Sequence, residues 1–215
     1  MKALIALLGL LLLPLGSSVA LAADGPALVE GRDYVIVDGQ PWRPLDGKIE
    51  VVEVFAYTCP HCDAFQPAVA AWARKLPGDV RFEYLPAAYN PADPFARAFF
   101  VAEQAGALPR THAAMFRAIH HDGLLARNAT LDEIAWFYGQ HGMNQAQVKA
   151  AMLSPAVDAL MQRARDFELA IQLRGTPTMV VAGRYMVTAP THEEVLRITE
   201  QLVARVRSGA LPQAR

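Results

Sequence analysis

The sequence predicts an α/β fold whose sheet-forming part is split by an inserted all-helical domain, and three observations point there. Short apolar or alternating runs of strand length occupy residues 34 to 85. From Asp93 to Leu173 strand signals vanish and helix starts follow one another. Strand signals return at Thr178 and lead into one last helix.

Tyr34 to Val37 is a short β-branched run ending at Asp38-Gly39 and reads as an edge strand. Ile49 to Tyr57 is longer, apolar and broken only by Glu50 and Glu53, as a buried central strand is. After Thr58-Cys59-Pro60 the period becomes helical, with Phe65, Val69 and Trp72 spaced at four and three as core positions. Pro60 suits a first helical turn, where its missing donor costs nothing, whereas Pro67 lies deeper and predicts a kink. Val80, Phe82 and Tyr84 alternate with Arg81 and Glu83 as a third strand.

In the helical block, Asp93-Pro94 and Ser154-Pro155 place a capping side chain before a first-turn proline. Thr130 with Glu133 and Asn144 with Gln147 have capping-box spacing, and Gly106, Gly123 and Gly142 are stop signals. Thr178 to Ala182 and Arg184 to Val187 flank Gly183 as a tight hairpin. A capping box at Thr191-His192-Glu193-Glu194 opens the last helix, which runs to Arg207, and Ser208 to Arg215 reads as a frayed tail.

The 215 residues suffice for a sizeable core, and 53% hydrophobic with 19% charged residues excludes disorder. Twenty Lys and Arg balance 21 Asp and Glu, so no basic field exists to attract nucleic acid. Lys2, an apolar run to Leu15 interrupted by Pro14, and small residues ending at Ala20-Leu21-Ala22 form a secretory signal peptide over residues 1–22. That run is too short and too broken for a membrane anchor, and no cysteine follows it to carry a lipid. The exported chain carries a formal charge of -2 and meets an oxidising compartment with two cysteines, too few for a disulfide scaffold.

Their spacing is therefore the informative feature. Cys59-Pro60-His61-Cys62 puts two thiols on the first turn of a helix, where unpaired N–H groups and the positive end of the helix dipole favour an anion on Cys59. His61, between the thiols, can add positive charge or a hydrogen bond to the same sulfur. Such surroundings lower a cysteine pKa from ~8.5 to roughly 3.5 to 7.5. Stabilising the reduced form makes the disulfide easier to reduce, so the pair becomes an oxidant toward other thiols. A client thiolate attacks Cys59 with Cys62 leaving, and a second client thiol then expels Cys59. Zinc would need two further ligands, and His112, His120, His121, His141 and His192 have no spacing that points to a site, so no metal is expected. A purely structural disulfide would close a loop too small to constrain the unfolded chain much. The pair His120-His121 reads as a solvated helix end, and Arg174 as structural.

The stretches Glu53-Val54-Phe55-Ala56-Tyr57-Thr58-Cys59-Pro60-His61-Cys62 and Ile171-Gln172-Leu173-Arg174-Gly175-Thr176-Pro177-Thr178-Met179-Val180-Val181-Ala182-Gly183-Arg184-Tyr185 resemble the two signature segments of DsbA-type thiol:disulfide oxidoreductases. That resemblance implies a thioredoxin-like fold with a helical insertion over nearly the whole exported chain. It divides the chain into a thioredoxin-like domain at 23–90 and 174–207, a helical insertion at 91–173 and a flexible tail at 208–215. It further implies a cis bond between Thr176 and Pro177 that faces the CxxC turn and leaves the backbone of Thr176 free for an extended client. A carboxylate at Glu53, inside an apolar run, is costly to bury without a purpose. The matching acid in the family relays protons for the second cysteine, here Cys62, and a structural ion pair is the alternative. Arg81 and its neighbours lack the lysine that some members place near this acid, and Gln66 replaces a second acid.

The resemblance implies a periplasmic, monomeric dithiol oxidase with no bound cofactor beyond the Cys59-Cys62 disulfide. Its clients would be reduced, unfolded exported proteins, and a DsbB-like quinone-linked membrane oxidase would reoxidise it. Two rivals stay open: a disulfide reductase or isomerase, and a client-binding holdase with incidental thiols.

Overall fold

The computed structural model describes residues 27–213, so the signal peptide and the last two residues of the expected tail lie outside the described residues. Strands β1 (Tyr34–Ile36) and β2 (Ile49–Phe55) precede helix α1 (Pro60–Ala73) and strand β3 (Val80–Pro86). Helices α2 (Pro94–Gln104), α3 (Leu108–His120), α4 (Leu131–Gln140), α5 (Gln145–Met152) and α6 (Pro155–Ala170) follow. Strands β4 (Thr178–Val181) and β5 (Tyr185–Val187) then lead to helix α7 (His192–Arg207). The five strands form one sheet in the order β1-β5-β4-β2-β3, so strands from both sides of the helical block are needed to build it.

Strand β2 runs parallel to β3 and antiparallel to β4, with Glu53 opposite Tyr84 on one side and Met179 on the other. All seven of its residues are buried, because both faces of the sheet are covered. Val51 packs with Phe65, Val69 and Trp72 of α1 and with Ile198 and Leu202 of α7. Val52 and Val54, on the other face, join Phe99, Phe100 and Phe116 from the helical block. Burying a side chain of this size contributes about 1.5–3 kcal/mol, so β2 is the spine of two cores at once.

Strand β3 departs from the expected alternation: Arg81 and Glu83 are half-buried like Phe82 and Tyr84. As the sheet's edge it carries an ion-pair network instead of a solvated face, with Arg81 3.3 Å from Glu83 and 3.0 Å from Glu50. Helix starts follow local chemistry closely. Asp93 accepts from the N–H groups of Phe95 and Ala96 at 2.8 and 3.1 Å, Ser154 from Val157 at 3.3 Å, and Thr130 with Glu133 completes a reciprocal capping box. Helix α3 begins without a side-chain cap, at Ala107 with Pro109 in the first turn, and so carries no strong sequence signal. Helix α1 continues through Pro67 to Ala73.

The β4–β5 turn holds Ala182 and Gly183 at φ of +53° and +66°, and the Arg184 N–H closes it on the Val181 carbonyl at 3.0 Å. A side chain at Gly183 would also bring its Cβ to 2.5 Å from backbone atoms of Gln40 and Pro41. Gly183→Ala is therefore expected to cost about 2 kcal/mol or more, from left-handed strain and a backbone clash together. A urea unfolding midpoint equal to that of the parent would contradict this.

The chain after α7 is anchored where fraying was expected. Gly209 takes φ +75°, the Leu211 N–H bonds the Arg205 carbonyl at 3.1 Å, and the Tyr185 hydroxyl donates to the Pro212 carbonyl at 2.7 Å. Leu211 packs on the core under α7, an apolar contact that polar tail composition hides. Among the described residues no helix is long and apolar enough to cross a membrane.

Candidate active site

Cys59 is the N-cap residue of α1, with extended φ and ψ of -84° and 120°, and Pro60 occupies the first turn. That placement aims the free N–H groups of the helix start at the Cys59 sulfur. Both cysteines are free thiols, Cys59 half-buried and Cys62 fully buried. The Cys59 thiol donates to the carbonyl of Thr176 at 3.3 Å, across 117 residues of sequence. The bond between Thr176 and Pro177 is cis, as the resemblance implies.

The two sulfurs are driven apart in acidity. Partial burial pushes the Cys59 thiol up, but hydrogen bonding from the Thr176 side chain, the backbone N–H groups of Cys62 and His61 and the Cys62 thiol outweigh it, and the net shift is downward. Burial pushes Cys62 far above the ordinary thiol range, against hydrogen bonding from the Ala56 backbone. His61 therefore reaches Cys59 through its main chain. Its exposed imidazole acts instead on His192, which burial and then the charge of His61 push downward and which stacks on Phe65 at 4.8 Å.

The carboxylates of β2 have opposite fates. Glu50 is fully buried yet accepts from the Trp42 and Arg43 N–H groups at 2.6 and 2.7 Å and from Arg81 at 3.0 Å. Glu53, 2% exposed, has an Oε2 with no hydrogen-bond partner among the described residues. Burial, and then the nearby charge of Cys59, push Glu53 up to about 8. The structural ion pair weighed for Glu53 thus exists at Glu50, three residues earlier, and uses Arg81.

Helix α3 contributes groups that the sequence did not mark. His112, buried and pushed down to about 3 by desolvation, bonds the Tyr57 hydroxyl through Nδ1 at 2.9 Å. His120 Nε2 donates to the Tyr57 carbonyl at 2.8 Å, and His121 lies 3.0 Å from the Asp63 carboxylate. The expected solvated helix end holds for His121, which is exposed, whereas His120 is half-buried against the CxxC turn because α3 packs along α1. Glu168 on α6 is also buried; it accepts from the Ala88 N–H and lies 3.5 Å from Arg165. It holds the loop carrying Tyr89, a half-exposed phenol pushed up by burial and by the charges of Glu168, Cys62 and Cys59. An i, i+3 Arg165-Glu168 pair was visible in the sequence, but its burial was not. Arg174 is exposed beside a cleft shared with Val35 and Met186. Among the described residues no three His, Cys, Asp or Glu side chains gather as a metal site.

An accessible acidic sulfur beside a buried reluctant one, with a backbone carbonyl at its edge, is equipped for thiol–disulfide exchange. Comparison with known proteins agrees. A family described as thioredoxin matches residues 45–201. The thiol:disulfide interchange protein DsbA of Azotobacter vinelandii is 38% identical over 183 residues, covering 83% of this chain and 85% of that protein. The protein of the same name from Pseudomonas aeruginosa PAO1 is 34% identical over 203 residues, covering 93% and 95%. The crystal structure of oxidoreductase DsbA from Xylella fastidiosa superposes with a TM-score of 0.81 at 46% identity, covering 84% of this chain and 98% of that one.

Proposed function

Because the chain belongs to the DsbA family of thiol:disulfide oxidoreductases, we propose that it donates its Cys59-Cys62 disulfide to newly exported proteins in the periplasm. A client thiolate attacks the Cys59 sulfur, forming a mixed disulfide as the Cys59–Cys62 bond breaks and Cys62 leaves. A second client thiolate attacks the client sulfur of that intermediate and expels Cys59 as a thiolate. The client loses two electrons and gains a disulfide, and the two cysteines gain both electrons as thiols. The observation that carries this reading is the placement of Cys59, half-exposed at the N-cap of α1, with Cys62 buried one turn on; the pKa of Cys59 is drawn down and that of Cys62 up, and a stable Cys59 thiolate is the better leaving group.

Pro60 and His61 form the turn, and the backbone of Thr176 beside Pro177 pairs with an extended client segment. Glu53 supplies the proton that Cys62 takes as it leaves; its burial, unpaired Oε2 and pKa near 8 support that role. Residues 23–90 and 174–207 serve as the redox unit and 91–173 as the helical cover over it. The disulfide is the sole redox group, and a DsbB-like membrane oxidase passes the two electrons onward to quinone.

Equilibration of the dithiol with glutathione buffers, with the thermal stability of both redox forms read in the same samples, tests the proposal. A strongly oxidising equilibrium and a more stable reduced form are expected. A thioredoxin-like equilibrium with the oxidised form more stable would make the protein a reductase. Cys62→Ser is expected to trap the Cys59–client mixed disulfide on a non-reducing gel.

A further inference from the structure

We propose that His120 is a positioning residue for disulfide exchange, setting the acidity of Cys59 by pinning the backbone of Tyr57; this deepens the oxidase reading and rests on it. Strand β2 ends at Phe55 and α1 starts at Pro60, so residues 56 to 59 lie outside both the ladder and the helix. Within that segment the Cys59 N–H bonds the Ala56 carbonyl at 3.1 Å. The groups that set the acidity of the two sulfurs sit at its ends: the Ala56 backbone draws the pKa of Cys62 down against its burial, and the main chains of His61 and Cys62 draw that of Cys59 down. Where this short bridge sits decides how well those groups are aimed.

Helix α3 holds the bridge at Tyr57, from both ends of one residue. His112 bonds the phenol at 2.9 Å and His120 the carbonyl at 2.8 Å. Their spacing of eight, a little over two turns, keeps both on one helix face. A carbonyl can only accept, so this bond places a proton on His120 Nε2. His121 with Asp63 ties the next turn of α3 to α1, but it is exposed and contributes little by itself. The helical block thereby reaches the main chain of the redox turn through the His120 bond.

Three variants of the full processed protein test this. His120→Gln keeps an N–H that reaches the carbonyl, His120→Asn is too short to reach it, and His120→Leu has no donor. Thiolate absorbance of Cys59 against pH, the glutathione equilibrium and the thermal midpoint are read for each. His120→Leu and His120→Asn are expected to raise the Cys59 titration midpoint and to shift the equilibrium roughly five-fold toward the disulfide, about 1 kcal/mol at 1.4 per decade. His120→Gln is expected to restore most of both. If His120→Leu does not fold, the comparison of Asn with Gln decides. A fall in thermal midpoint with unchanged titration and equilibrium would show a merely structural bond and overturn the proposal. If the parent protein itself fails to oxidise a reduced peptide, the oxidase reading falls instead.

Discussion

Replacing Glu53 by glutamine is expected to stabilise the reduced protein by about 3 kcal/mol at pH 7 and by almost nothing at pH 4. The carboxyl is pushed up to about 8 by burial and by the charge of Cys59, from an ordinary value of 4.5. Between those values the folded chain keeps the proton and the unfolded chain releases it, so stability falls as pH rises through that window. Glutamine removes the titration and with it the slope, which amounts to ~1.36 kcal/mol for each pH unit crossed inside the window. Denaturant unfolding of the reduced parent and variant at pH 4, 7 and 8 measures this directly. An equal dependence on pH in both would mean that Glu53 titrates at an ordinary value and cannot serve as a proton store. In the oxidised protein the Cys59 thiolate is gone, one of the two causes of the raised pKa is removed, and the gain should be smaller. Stability lost at a carboxyl that lies in the site is the expected signature of a group kept for exchange.

Phe55→Ala is expected to destabilise the protein by about 3–5 kcal/mol and to lower its thermal midpoint by ~10 °C or more. The ring is fully buried and touches Tyr57, Phe99 and His112 edge-on, with centroids 5.0, 5.3 and 4.9 Å away. Truncation removes these contacts and opens a gap beside the Tyr57–His112 hydrogen bond. The surrounding rings are wedged between sheet and helices and can close the gap only in part. Calorimetry of the reduced protein is the check. A loss below about 1 kcal/mol would show that the cluster collapses freely and gives the redox turn no rigid floor.

What was legible in the sequence was local. The caps at Asp93, Thr130 and Ser154, the Gly183 turn and Cys59 at the start of a helix each depend on neighbours within a few residues, so they could be read directly. The difference between Glu50 and Glu53 could not, because the donors for Glu50 come from Trp42, Arg43 and Arg81, brought in by the loop before β2 and by β3. The alternation of β3 misled because an edge strand with an ion-pair network has no clean solvent face. His120 looked as wet as the exposed His121 beside it, since nothing in their own segment says that α1 lies against it. Thr176 became visible as a site residue through resemblance alone; its partner lies far away along the chain.

That distance has a consequence for synthesis. The Cys59–Thr176 contact spans 117 residues, and β4, which flanks β2, follows the whole helical block. A nascent chain therefore exposes both cysteines long before the segment that completes their surroundings has left the ribosome. Until then Cys59 has the donors of its own helix start, from His61 and Cys62, but lacks the Thr176 carbonyl beside it. Of the segments that meet at the redox turn, the one carrying Thr176 and Pro177 is thus made only after the whole helical block.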